Sequence, residues 1–341
     1  MAAPFAGLAP LLGQRSNGGA RIGAEEVCRM TTQRRRRDWR RAGLALCAIV
    51  ALLTPSFARA RGEQVVCFTS WRLGSSGAFF GPLDDLRSTR AVPDQARWTI
   101  NPVISPDGSR IVYSTEMAMY IHDIATGETE RATEPGDFVS HPEWSPDGGR
   151  LAFWSTGVAD DDAGFYVRDL DTGDTALVAR SRHMARPSWS PHGDEIAHEE
   201  DGRIFIVDVE SGDRRLAIQR DGAKHIHPSW SPDGERFAFV SDRDGPADVY
   251  VAGLDGENAR QLTEMGGVHW PRWTPDGLSV IFSASGGGGS DIYIVDIEGG
   301  PPRQLTDNPR NDYPSLADPA VLPVTRLGTL LTQWASMRGT Q

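Results

Sequence analysis

Lysine is nearly missing from this chain: Lys224 is the single one in 341 residues, and the other 34 basic residues are arginines. The glycine run from Gly286 to Gly289 is followed by no lysine, no Ser-Thr pair and no helix, so it is a surface loop and not a phosphate-cradling P-loop. Cysteine is scarce too, limited to Cys28, Cys47 and Cys67. Only Cys67 lies beyond an N-terminal export segment, which excludes an intrachain disulfide framework and a Cys-based zinc site. Cys67 itself, in Val65-Val66-Cys67-Phe68, reads as a buried strand residue. No Gly-x-Ser-x-Gly occurs, which removes the nucleophile elbow of an α/β-hydrolase. Positive charge is short in the body of the chain. The first sixty residues hold ten arginines against three acids, leaving 25 basic and 43 acidic residues in 61–341, a net −18. A body of that sign repels phosphate backbones, so nucleic acid is excluded as a partner.

What the first sixty residues do contain is an address. Arg34 to Arg37 and Arg40-Arg41 form a basic run. The uncharged apolar stretch Ala42 to Leu53 follows, twelve residues long and too short to span a bilayer comfortably. Ala58-Arg59-Ala60 then supplies a small-residue site. This three-part pattern predicts a signal peptide over residues 30–60, cleaved after Ala60, with residues 1–29 a leader or an over-extended start. The expected location is periplasmic or secreted, with no membrane span left after cleavage. An uncleaved anchor is the competing reading.

The richest feature is a repeat. Residues 101–108 read NPVISPDG, 141–148 HPEWSPDG, 186–193 RPSWSPHG, 227–234 HPSWSPDG and 270–277 WPRWTPDG. A decayed copy starts at Tyr313-Pro314. The repeat prolines are Pro102, Pro142, Pro187, Pro228, Pro271 and Pro314, spaced 40, 45, 41, 43 and 43 residues apart. That period is one four-stranded propeller blade. Tryptophan ends a first strand, and Ser-Pro-Asp-Gly turns the chain because Pro presets φ and Gly accepts positive φ. Second and third strands rich in Val, Ile, Tyr and Phe follow, as at 237–241 and 248–252. Arg-Gln-Leu-Thr at 260–263 and 303–306 closes the unit. At the start of the body, 65–70, 78–83 and 96–100 read as second, third and fourth strands with no first strand before them. The copy at 313–316 can supply it, joining the two ends and leaving no open edge. The expectation is an all-β, six-bladed propeller of four-stranded antiparallel blades over residues 61–323, with 324–341 as a C-terminal tail.

With these motifs in view, the chain resembles the TolB-like β-propeller family, whose WD-like repeats share the Pro-x-Trp-Ser-Pro-Asp-Gly unit, the Asp-x-Tyr-x third strand and the Gln-Leu-Thr close. The resemblance covers roughly residues 65–316 and does not include the α/β domain that precedes the propeller in TolB. It implies a cell-envelope scaffold that binds a protein or peptide, monomeric and without a cofactor, and binding in place of catalysis. The alternative it keeps open is a metal-assisted polysaccharide lyase or hydrolase, since lyases built on this repeat use a His-rich mouth.

One constellation stands out as a site. The residues before the repeat prolines are Asn101, His141, Arg186, His227, Trp270 and Tyr313, with His225 and His269 close by. Starting the innermost strands, the six should ring one mouth of the central channel. They offer imidazoles, a guanidinium and stacking faces for a ligand or partner. The plainer alternative is that a solvent-filled mouth tolerates polar residues bonded to nearby backbone. No catalytic or metal-ligating residue is assigned. Asp107, Asp147, Asp233 and Asp276 recur once per blade at a turn and are structural, and His192 replaces the Asp in the third copy. Asp160 to Asp162 lacks calcium-loop spacing and reads as a solvated loop. His198-Glu199-Glu200-Asp201 reads as an exposed turn.

Overall fold

Each blade grows from its Ser-Pro-Asp-Gly turn. In the second full copy Ser145 Oγ donates to Asp147 Oδ1 and the Gly149 N–H donates to the same oxygen at 3.0 Å. Gly148 sits at φ +72°, where a side chain would be strained. In the copy where His192 stands in place of Asp, Asp194 takes over and accepts from Ser190 Oγ at 2.7 Å.

The computed structural model describes residues 64–317, apart from 72–74, 94–97, 116–117, 134–137, 158–162, 287–288 and 308–309. The signal segment, the C-terminal tail and Asp160 to Asp162 lie outside the described residues. Chain order gives β1 (Val65–Ser70), β2 (Gly77–Pro82) and β3 (Arg90–Ala91). Blade 2 is β4 (Ile100–Ile104), β5 (Arg110–Ser114), β6 (Met119–Asp123) and β7 (Thr129–Arg131). Blade 3 is β8 (Val139–Trp144), β9 (Arg150–Ser155), β10 (Gly164–Asp169) and β11 (Thr175–Arg180). Blade 4 is β12 (Ser188–Trp189), β13 (Glu195–Glu200), β14 (Arg203–Asp208) and β15 (Arg214–Ile218). Blade 5 is β16 (His225–Trp230), β17 (Arg236–Ser241), β18 (Asp248–Gly253) and β19 (Arg260–Gln261). Blade 6 is β20 (Val268–Trp273), β21 (Ser279–Gly286), β22 (Gly289–Asp296) and β23 (Arg303–Gln304). Last comes β24 (Asn311–Ala317). It pairs antiparallel with β1, Val65 opposite Ala317 and Ser70 opposite Asn311, so blade 1 is the composite β24-β1-β2-β3. The six-bladed, four-stranded reading therefore holds, with the ring closed by joining the two ends.

Two details of the sequence reading change. The outer strand of blade 1 is β3 at Arg90–Ala91, and Ile100 instead begins blade 2. His198, Glu199 and Glu200 belong to β13 and are no exposed turn; His198 is fully buried.

The core sits between blades. One cluster joins Val240 and Val249 of blade 5 to Val280 and Phe282 of blade 6. Others join blades 1 and 2, 2 and 3, 3 and 4, 4 and 5, and 1 and 6. A blade alone cannot bury both its faces, and each neighbour supplies the missing half. Trp144 Nε1 donates to Val103 O at 3.0 Å, and Trp189 Nε1 to Glu143 O at 3.3 Å, so two repeat tryptophans also bond to the blade before. Among the described residues no helix is long and apolar enough to cross a membrane.

Candidate functional site

Every inner strand begins on the same face of the ring, and the connection from the previous blade's outer strand arrives there. Five of the six residues before the repeat prolines, Asn101, His141, His227, Trp270 and Tyr313, have φ between +53° and +56°. The cause is a bulge. In blade 3 Ser140 pairs with Trp154 and Glu143 with Ala152, so His141 and Pro142 stand opposite the single residue Phe153. The same register shift recurs in blades 1, 2, 5 and 6. A bulge kinks its strand and re-aims a side chain. Left-handed backbone costs a non-glycine residue about 1–2 kcal/mol, so the surrounding packing holds this strain five times over. Blade 4 departs from the pattern: β12 has only two residues, and Arg186 is not left-handed.

These bulges bring the predicted residues together at the axis. Trp270 packs on His227 with ring centroids 3.6 Å apart and on Tyr313 at 4.6 Å. His141 meets Trp270 at 5.4 Å and Tyr313 at 6.2 Å. The four side chains come from blades 3, 5, 6 and 1 and meet near the axis. Asn101 donates to Ser140 Oγ at 3.3 Å, which in turn lies 2.9 Å from His141 Nδ1. Asn101, His141 and Arg186 are buried. Rings from four blades pack on one another at this mouth, with His227, Trp270 and Tyr313 half-buried. His225 turns away from this group, its Nδ1 3.0 Å from Ser241 Oγ, whereas His269 stays beside His227 at 6.0 Å.

Two positions further along the inner strands lies a charge cluster that the sequence reading missed. Glu143 of blade 3 takes a bidentate ion pair from Arg272 of blade 6, on the opposite side of the ring. Arg186 Nε lies 3.8 Å from the same carboxylate. The position between proline and tryptophan reads Val103, Glu143, Ser188, Ser229 and Arg272, with Ser315 in the decayed copy. Its two opposite charges, three repeats apart, were the available signal. Glu199 was missed as well: it accepts the His227 backbone N–H from the neighbouring blade.

Burial sets the protonation here. It holds the His141 imidazole down to about 3, with Arg186 adding to the effect. Burial also pushes His227 well below its ordinary value, helped by His269, His141 and Arg186. Tyr313 is raised to about 12 by burial and by Asp312, and Cys67 to about 12 by burial. Glu199 is raised to about 7 by burial, partly offset by the His227 N–H. Arg186 drops to about 9 through burial and the neighbouring Arg272, and stays charged at neutral pH. Among the described residues no three His, Cys, Asp or Glu side chains are disposed to hold one metal ion; the Trp270 indole packs against both His141 and His227.

Comparison with known proteins places this architecture. The chain is 33% identical over 167 residues to the Tol-Pal system protein TolB of Bordetella pertussis, which covers 45% of this chain and 38% of that protein. It is 36% identical over 84 residues to the Tol-Pal system protein TolB of Francisella tularensis, 22% of this chain and 19% of that protein. The chain therefore spans well under half the length of these relatives. Among solved structures, TolB from Acinetobacter baumannii superposes with a TM-score of 0.65 at 18% identity, over 75% of this chain and 67% of that one. An oligogalacturonate lyase in complex with manganese superposes at 0.53 and 17% identity, over 71% and 73%. Both structural likenesses concern the fold. Residues 139–321, more than half of the chain, match the sequence family described as TolB beta propeller domain. Repeat, ring closure and sequence match agree: the chain belongs to the TolB beta-propeller family.

Proposed function

We propose that this is an exported cell-envelope propeller that binds a protein or peptide on the face where its inner strands begin. One observation carries the reading. Six large apolar side chains are exposed among the described residues, and four of them are Trp98 (45%), Phe138 (40%), Met184 (50%) and Met265 (41%). All four lie on connections between one blade's outer strand and the next blade's inner strand, so they share the face on which the inner strands begin. The other two, Leu216 and Leu278, lie elsewhere. Apolar groups gathered on one face and rimmed by polar residues mark a contact surface. The family match supports the same reading, and so does the export pattern of residues 30–60. A rigid ring would meet its partner with little backbone change.

The test is photo-crosslinking of the full chain in envelope extract of its source organism. A crosslinker at position 138 or 184 should capture one dominant partner, and one at 216 or 278 should not. Replacing Trp98, Phe138, Met184 and Met265 together by Ser should lower capture at least tenfold, with the thermal midpoint unchanged. Equal capture from both sets of positions would refute the proposal.

A further inference from the structure

Charges taken out of water are paired, or they cost several kcal/mol each. The axis of this ring breaks that rule. Arg272 and Glu143 pair through two parallel hydrogen bonds across the channel, with Arg272 Nε left without a partner. Arg186 has no such partner. It is 5% exposed, makes no hydrogen bond among the described residues, and has one counter-charge, the already occupied Glu143, at 3.8 Å. Everything else facing it is neutral or positive at neutral pH: His141 and His227 as free imidazoles, Tyr313 as a phenol, Cys67 as a thiol, Arg272 as a cation. Two guanidiniums and one carboxylate leave a single positive charge unbalanced, inside a body whose net charge is −18.

Arg186 also stands where the repeat is broken. The other five positions of the ring carry the bulge and the left-handed residue; blade 4 has neither, and its inner strand is cut to Ser188–Trp189. The packed rings come from blades 1, 3, 5 and 6; blade 2 contributes Asn101, which is hydrogen-bonded to Ser140 Oγ, and blade 4 contributes Arg186. Met184, half exposed, is two residues before Arg186 on that same connection.

We propose that Arg186 is the seat for one carboxylate of the bound partner, reached from the blade 4 side of the mouth. The inference rests on the binding reading above and names the group that is recognised. A guanidinium fork matches a carboxylate in bidentate geometry. One unbalanced positive charge fits one monoanion; a dianion would leave charge over and meet the acidic body. The carboxylate is a peptide C-terminus or an Asp or Glu side chain, and the experiment separates these sources.

The full chain is titrated with three pools of random pentapeptides: free C-terminal acids without Asp or Glu, the same sequences as C-terminal amides, and amides carrying one internal Asp or Glu. Binding is read by calorimetry and by the thermal midpoint. The seat predicts that at least one acid-bearing pool binds tenfold or more tighter than the plain amides. Preference for the first pool assigns a C-terminus, and preference for the third a side chain. Arg186→Met should abolish the preference, and Arg186→Lys should retain part of it. Without peptide, Arg186→Met should melt at the same temperature as the parent or higher, because it removes an uncompensated buried charge. Three pools that bind the unmodified chain alike would overturn the proposal. So would a clear loss of stability in peptide-free Arg186→Met, which would make the residue a structural brace. Crosslinking at positions 138 and 184 that survives in Arg186→Met, together with no acid preference, would sink the carboxylate seat alone and leave the binding face standing.

Discussion

Asp147 shows what a repeated residue does in this fold. Its carboxylate is held below the ordinary range first by the Ser145 hydroxyl, then by the Gly149 N–H and Arg150, all within its own turn. Asp147→Ala should therefore cost about 1–2 kcal/mol of stability by removing the acceptor that ties the Ser145 hydroxyl and the Gly149 N–H into one turn, while peptide binding stays unchanged. Urea unfolding and calorimetry on the same variant check both halves, and lost binding with retained stability would reverse the assignment. The aspartates were legible in the sequence because they recur at a fixed place in a turn. The ring of Asn101, His141, His227, Trp270 and Tyr313 was legible for the same reason, but its left-handed backbone was not. Histidine, tryptophan and tyrosine do not announce positive φ, and the bulge that imposes it comes from pairing with the next strand. Glu143 and Arg272 were harder still. They are 129 residues apart, occupy a variable position of the repeat, and meet only because the ring closes.

Strands hold to one another inside a blade by backbone hydrogen bonds, but the blades are joined by side chains, and one device recurs. Arg110 lies over the Trp144 ring at 4.6 Å and donates to Gly148 O at 2.9 Å. Arg150 lies over Trp189 at 4.9 Å and donates to Gly193 O at 2.7 Å. Arg236 lies over Trp273 at 4.9 Å. In blades 2, 3 and 5 the arginine that follows the turn thus clasps the tryptophan of the next blade. Arg150→Met keeps the apolar stem and removes the cation and its donor, so it should lower stability by about 1–2 kcal/mol. Urea unfolding checks it, and a change under about 0.3 kcal/mol would mean that the clasp contributes nothing beyond packing. Blades 4 and 6 break the device: Ser279 stands at the arginine position in blade 6, and in blade 4 Glu195 replaces the arginine and pairs with Arg215 on its own sheet. The strands themselves were read well where apolar residues alternate. They were misread where local chemistry argued otherwise, as at His198 and Glu199, whose polar sequence is drawn into a strand because Phe165 and Phe205 pack on His198. The signal of turn residues was outvoted there by neighbours distant in the chain.

Over the whole molecule, the burial of titratable side chains stores a proton imbalance. His141, His198, His225 and His227 are all held below the ordinary 6.5 by burial, His141 to about 3 and His198 and His225 to about 4. Each is neutral in the folded chain at pH 5.5 and takes up a proton on unfolding. Their contribution is complete above pH 6.5 and is lost as the pH falls towards 4. Glu199 runs the other way. Its folded value of about 7 exceeds its ordinary 4.5, so between these it holds a proton that the unfolded chain releases; its contribution is present below 4.5 and lost as the pH rises through 7. Asp312, raised by burial, acts in the same sense as Glu199. Four protons gained and up to two released leave about two to three taken up on unfolding near pH 5.5, each worth about 1.4 kcal/mol per pH unit. Stability should therefore fall steeply from pH 6.5 to 5, before the turn aspartates begin to protonate. Urea unfolding at pH 7.5, 6.5, 5.5 and 5.0 measures the slope. His198→Phe, which replaces the imidazole between two phenylalanines, should lower it by about one proton. A flat profile down to pH 5 would mean that these imidazoles reach water in the folded ring.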